Sequence, residues 1–378
     1  MRRSTPALAL LALTPLALAA CTSKSESNSD AIAVTATDTT CDVASNTAAT
    51  GTTTFSITNN GSKVTEFYVF GEGDRVMGEV ENVGPGLTRQ LIVSLPEPGT
   101  YHTACKPGMV GDGIRADFTV TGDSKSGTDE SGRLAEAAAG YRRYVTSQVA
   151  ALQETAANFV TAIKAGDVAA AKAQYPTTRT YYERIEPIAE SFPDDLDPRL
   201  DLREVDVEPG RAWTGFHRLE KDLWVTGPQP DTNAMADQLI ADLRELSEGI
   251  GADGFTVDPI QVAGGAQTLL DEISRTKITG EEDIFSHTDL YDFQANVDGS
   301  QAAIASVRPI IDERNPELGT RIDQRFADLD AALAQFRVGD GFVSYDTVTE
   351  AQRQELSQKI DALSVEVSQV QGVVAEQQ

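Results

Sequence analysis

Apolar and polar positions follow two different periods along this chain. Between residues 31 and 122 the apolar positions fall in short β-branched or alternating runs: Ile32–Thr37, Thr53–Thr58, Thr65–Phe70, Gln90–Leu95, Thr100–Ala104 and Arg115–Val120. Asn59-Asn60-Gly61, Gly84-Pro85-Gly86 and Pro96-Glu97-Pro98-Gly99 punctuate them as turns. Such a series of six or seven short strands predicts an all-β sandwich over 31–122. Gly122 to Gly132 holds no large apolar residue, so residues 123–132 read as a linker.

From Arg133 the apolar positions advance by three or four. Leu134, Ala138, Tyr141, Val145, Val149, Leu152, Ala156, Phe159 and Ile163 make one stripe of a long helix. Further stripes run through Leu239, Leu243 and Leu246, through Ile322, Phe326 and Leu329, and through Leu356, Ile360 and Leu363. Breaks are expected at Gly166-Asp167, Pro176, Pro193, Gly227-Pro228, Gly249–Gly254 and Gly339–Gly341. Amphipathic helices joined by short connections predict an all-α helical-bundle domain over 133–378, built as two packed bundles.

The first residues follow neither period. Arg2 and Arg3 precede an apolar run, Ala7 to Ala20, that is too short to span a bilayer. It ends in Leu18-Ala19-Ala20-Cys21, which resembles the lipobox of bacterial lipoproteins. Residues 1–20 are thus expected to be a cleaved signal and Cys21 a lipidated N-terminus, with 21–30 a flexible tether. The chain would then be exported, held by lipid to the extracytoplasmic side of the cell membrane. Its 31 basic residues face 58 acidic ones, a net charge of −27, which disfavours nucleic acid and attracts cations. Setting Cys21 aside leaves Cys41 and Cys105, which in an oxidising compartment can form a disulfide or offer thiolates to a soft metal.

Only three histidines occur. His217 and Glu220 are spaced i, i+3 in Thr214-Gly215-Phe216-His217-Arg218-Leu219-Glu220, so a helix would place imidazole and carboxylate on one face and Phe216 and Leu219 toward the core. Glu183, Glu186 and Glu190 fit one acidic stripe, Asp201 follows, and Glu281-Glu282-Asp283 is expected to open a helix shortly before His287. Carboxylates with one or two imidazoles inside a bundle suit iron or manganese. The chain has no HExxH helix, GxSxG elbow or phosphate-binding glycine loop, so an enzyme is the minority reading. Near the end of the β region, Cys105 and Met109 have blue-copper spacing but no histidine between them. Cys41, Cys105, Met109 and Glu66 could form another kind of metal site, or Cys41 and Cys105 a disulfide.

Long segments of the helical half resemble the EfeO family of iron uptake components, in which a cupredoxin-like domain precedes an imelysin-like helical domain. They are Tyr175-Pro176, Tyr182 to Pro187, Thr214 to Glu220, Val262 to Ala266, Ile278 to Asp283, Ser286 to Leu290, Asp292 to Asn296 and Gly299-Ser300-Gln301. The match in the β region is weaker and rests on Cys41, Cys105 and strand order. The resemblance implies a membrane-associated iron-binding component, not an enzyme, that delivers iron to a permease alongside a haem peroxidase. It also implies a metal site at His217 and Glu220, completed by Glu186, Asp201 and Glu281, with Glu183 and Glu282 as competitors. The incomplete histidine pattern leaves copper and iron both open for the first domain. Two other readings stand beside it: an imelysin-like metallopeptidase, and a lipoprotein binding carbohydrate or polyanion through bridging metal.

Overall fold

The computed structural model describes residues 31–109, 111–124 and 132–376. The expected signal, tether and lipidated Cys21, and residues 125–131 of the linker, lie outside them. Among the described residues the first part carries nine strands: β1 Ile32–Ala36, β2 Cys41–Val43, β3 Thr47–Ala49, β4 Gly51–Asn59, β5 Thr65–Phe70, β6 Val76–Val83, β7 Thr88–Leu95, β8 Gly99–Pro107 and β9 Ile114–Thr121. They form a four-stranded sheet, β2-β1-β4-β7, and a five-stranded sheet, β3-β9-β8-β5-β6. Alternation in β4 sends Phe55 and Ile57 inward, where they meet Phe67, Val69 and Phe118 of the other sheet. The six expected strands are present. Strand β6 escapes the sequence pattern because Glu79 and Glu81 interrupt its apolar positions, although Glu81 is only 2% exposed.

Cys41 and Cys105 form a disulfide between β2 and β8, tying one sheet to the other across a separation of 64 residues. This corrects the alternative of a metal held by Cys41, Cys105, Met109 and Glu66, because the thiolates are spent on each other. Glu66 could not join them in any case. Phe67 pairs with Cys105 and both face the sandwich core, whereas Glu66 and Tyr68 project from the opposite face of the sheet. Met109 lies in the turn after β8, with φ 58°.

The second part is helical: α1 Arg133–Lys164, α2 Val168–Glu183, α3 Glu186–Glu190, α4 Leu196–Asp201, α5 Gly215–Lys221, α6 Thr232–Gly251, α7 Pro259–Glu272, α8 Asp289–Arg314, α9 Pro316–Leu333, α10 Glu350–Val367 and α11 Val370–Ala375. Asp167 caps α2 by accepting from the Ala170 N–H, and Asp258 caps α7 ahead of Pro259. One continuous apolar core runs from α1 to α11, so the expected division into two bundles does not occur. Nor does Pro176 break its helix: it lies inside α2, where buried Ala171, Tyr175 and Tyr182 hold the helix in register on both sides. That packing outweighs a proline cost of about 3 kcal/mol. Among the described residues no helix is long and apolar enough to cross a membrane.

The two parts are docked against each other. Helix α7 lies along the sandwich, its Gln261 donating to the Met77 carbonyl at 2.7 Å. Arg89 pairs with Asp271 at 2.9 Å, and Asn82 donates to the Asp271 carbonyl at 3.3 Å.

Candidate metal centre

Helices α4 and α5 meet at a point where only glycine fits. Gly215 opens α5 with φ 85°, and a Cβ there would lie 2.1 Å from the Leu200 carbonyl oxygen. This contact seats the first turn of α5 on the end of α4, bringing His217 beside Asp201. Phe216 and Leu219 are fully buried on the core side of the same turn, as their spacing predicts.

His217 uses its two ring nitrogens differently. Nδ1 is 3.1 Å from Glu220 Oε2, and the other oxygen of Glu220 accepts from the backbone N–H groups of Phe285 and Ser286 at 3.1 and 2.7 Å. Nε2 is buried without a hydrogen-bond partner, and lies 3.6 Å from both Asp201 Oδ1 and Glu282 Oε1. Two donor groups therefore share the imidazole: Asp201, His217 and Glu282 on one side, and His217, Glu220 and Asp283 on the other, each set within 4.8 Å of one another.

Built-in cations also occupy the cluster. Arg179, fully buried on α2, pairs with Glu183 and Asp201, donates to Asp292 at 3.0 Å and reaches Glu282 at 3.2 Å. Lys277 Nζ lies 3.2 Å from Glu183 and 3.4 Å from Glu282 without a hydrogen-bond partner, so these are ion pairs by proximity. Tyr175 donates to Asp283 at 3.1 Å. The carboxylates touching Arg179, Lys277 or His217 still outnumber those three groups. Burying them together without further positive charge is unfavourable.

The protonation equilibria carry the same message. Burial and the neighbouring Arg179 push the His217 imidazolium down, but Asp201, Glu220 and Glu282 outweigh them and raise its pKa to about 10. Burial raises Glu220, with Asp283 adding to it, and burial lifts Asp292 and Glu186 well above the carboxylate range. Glu282 moves the other way: burial opposes ionisation, but Lys277 and His217 hold it well below its ordinary value. The centre thus retains protons that an incoming cation would displace.

Of the residues expected at the site, His217, Glu220 and Asp201 come together. Glu186 is buried nearby but belongs to neither donor group, and one of its oxygens has no hydrogen-bond partner. Glu281 faces solvent, and its neighbour Glu282 enters the centre instead. The stretch 281–288 is not the expected helix but a turn, held by Asp289 accepting from the Asp283 N–H at 3.2 Å. His287 adopts φ 58° in that turn and stays out of the centre. The acidic stripe divides because α2 ends at Glu183, which stays in the centre while Glu190 turns toward the sandwich and Glu79. Arg179, Lys277 and Asp292 are not marked as site residues by the sequence, and Asp283 enters it only as part of the Glu281-Glu282-Asp283 run. Arg179 carried one usable signal, its i, i+4 spacing to Glu183.

Residues 137–370 match the imelysin family, labelled peptidase M75, and residues 8–120 match the cupredoxin-like domain. The iron uptake system component EfeO of Escherichia coli O1:K1 is 40% identical over 349 residues, 91% of each chain. The EfeO proteins of Escherichia coli K12 and of Shigella flexneri are each 39% identical over 349 residues, again 91% of both chains. Among solved structures, reduced auracyanin from Roseiflexus castenholzii matches 25% of this chain and 98% of its own at 20% identity, with a TM-score of 0.21, too remote to bear on function. With a cupredoxin-like sandwich ahead of an imelysin domain, and this identity along nine-tenths of its length, the chain belongs to the EfeO family of iron uptake system components.

Proposed function

We propose that the protein captures iron on the Nε2 side of His217, with Asp201 and Glu282 as the neighbouring ligands, and passes it on within an iron uptake system. The observation that carries this reading is the buried, unpartnered Nε2, flanked at 3.6 Å by two carboxylate oxygens. An imidazole with hard oxygen donors suits iron or manganese better than copper(I). Glu220 then orients rather than binds: it holds Nδ1, and its second oxygen is already engaged by two backbone N–H groups. Arg179 and Lys277 stand in for the missing positive charge until iron arrives. Iron capture expels the His217 proton, whose pKa of about 10 keeps the ring charged in the metal-free state.

No hydrolytic machinery is assigned to these residues, so the reading is binding without turnover. Export follows from the Leu18-Ala19-Ala20-Cys21 context, with a lipid on Cys21 anchoring the chain outside the cytoplasmic membrane. An iron permease and a haem peroxidase are the partners that the resemblance to the EfeO family implies. The deciding experiment titrates metal-free protein with iron(II), iron(III), copper(II) and zinc(II), beside His217→Ala. Iron should bind the wild type most tightly and raise its Tm by mass action, and both effects should vanish in the variant. Equal iron affinity in the two proteins would refute the site.

A further inference from the structure

Helix α7 does not stop at Glu272 but continues as a π-turn, Ile273–Lys277. Such turns insert an extra residue and recur at functional positions. The turn sends two cations to two destinations. Arg275 reaches the sandwich, with Nη1 3.2 Å from Glu66 Oε1 and Nη2 3.6 Å from Glu81 Oε1. Lys277 reaches the metal centre, against Glu183 and Glu282. Glu272 lies between them: Oε1 pairs with Arg275, while Oε2 is 3.9 Å from Lys277 Nζ and accepts from Thr276. One carboxylate thus shares its two oxygens between the interface cation and the centre's cation.

We propose that this turn couples the β-sandwich to iron affinity, with Arg275 as the positioning residue and Glu272 as the group through which the coupling passes. The inference rests on the iron site proposed above. Iron that takes Glu282 must compete with Lys277, so binding is favoured when Lys277 shifts toward Glu272. Glu272 can receive it only while Glu66 and Glu81 hold the other side of the Arg275 guanidinium. Glu66 is fixed for that task, since Tyr68 donates to its second oxygen at 3.2 Å. When the Glu66 charge is lost, the guanidinium settles on Glu272 and Lys277 stays on Glu183 and Glu282. The sandwich thereby sets the affinity of a site to which it contributes no ligand. By linkage, bound iron must tighten the Arg275–Glu66 contact by the same factor.

The test is calorimetric titration of the full chain with iron(II), held anaerobic, and with iron(III). Glu66→Gln should weaken iron binding at least about fivefold, the usual lower range for coupled sites. In a Glu272→Gln background the same substitution should change Kd less than about twofold, because the shared carboxylate is gone. A through-space charge effect would instead persist undiminished in that background, and would overturn the coupling. Arg275→Lys gives an arm that does not depend on the folding of Glu272→Gln. It keeps the charge, but a single ammonium cannot span Glu66 and Glu272, so Kd should change at least about threefold where bare electrostatics predicts no change. Unchanged affinity in Glu66→Gln and Arg275→Lys, beside a wild type that binds iron, overturns this inference alone. A wild type that binds no iron overturns the site reading and the coupling with it.

Discussion

Gly215 packs so closely on Leu200 that a Cβ at position 215 would lie 2.1 Å from the Leu200 carbonyl oxygen. The contact is made by backbone and cannot be relieved by rotating a side chain. Gly215→Ala must both leave φ 85° and push α5 away from α4. We expect a stability loss of about 2 kcal/mol or more, together with weaker iron binding, because His217 moves with the first turn of α5. Denaturant melts and metal titration on the same sample check both. A variant with wild-type stability and affinity would show that the helix accommodates the methyl group by a route this packing does not offer.

Glu220 and His217 should not be equivalent. If Glu220 orients the ring, Glu220→Gln keeps an oxygen for Nδ1–H and costs about 10–100-fold in iron affinity, as loss of an outer partner does. His217→Ala removes a ligand and should cost much more. Glu281→Gln, on the solvent side, should leave affinity unchanged, whereas Glu282→Gln should weaken it strongly. Comparable losses in Glu220→Gln and His217→Ala would make Glu220 a ligand and move the metal to the Nδ1 side.

The disulfide should act on stability and not on metal. Cys41→Ser together with Cys105→Ser reopens a separation of 64 residues. A chain-entropy estimate for a loop of that size is about 4 kcal/mol. The sandwich transition in a thermal melt should therefore fall, while iron binding at the His217 centre persists in the folded protein. Loss of a bound metal on making these substitutions, at unchanged stability, would contradict the assignment.

Stability should fall with rising pH through one identifiable pair. Burial, with Glu81 adding to it, lifts the Glu79 carboxyl from 4.5 to about 8, and Glu190, hydrogen-bonded to it, is lifted well above its ordinary value by burial and by Glu79. Glu66, Glu81 and Lys106 also face Glu79. The folded state binds the proton more tightly than the unfolded chain, so this contribution is complete below pH 4.5 and is lost as pH rises toward 8. Glu79→Gln removes that dependence. Its Tm at pH 8 should exceed that of the wild type by roughly 2 °C or more, with the gap closing near pH 5. Parallel Tm curves for the two proteins across that range would exclude the mechanism.

The sequence by itself determined the change of period near residue 130, the six clearest strands, the α1 stripe and the pairing of His217 with Glu220. Those features are local: alternation or a three-to-four spacing shows which face is buried before any partner is known. Tertiary structure decided the rest, because the deciding contacts join residues far apart in the chain. Arg179 and Lys277 gather carboxylates from α2, α4, the 281–288 turn and α8, and no local pattern marks a buried cation. The choice of Glu282 over Glu281 depended on which side of an irregular turn faces inward, which a helical reading could not supply. Strand β6 was hidden because its glutamates are buried against the second domain rather than exposed to water, as Glu81 beside Arg275 illustrates. Whether Cys41 and Cys105 would bind metal or each other was likewise a matter of register, settled when β2 and β8 were brought within 5.6 Å between Cα atoms.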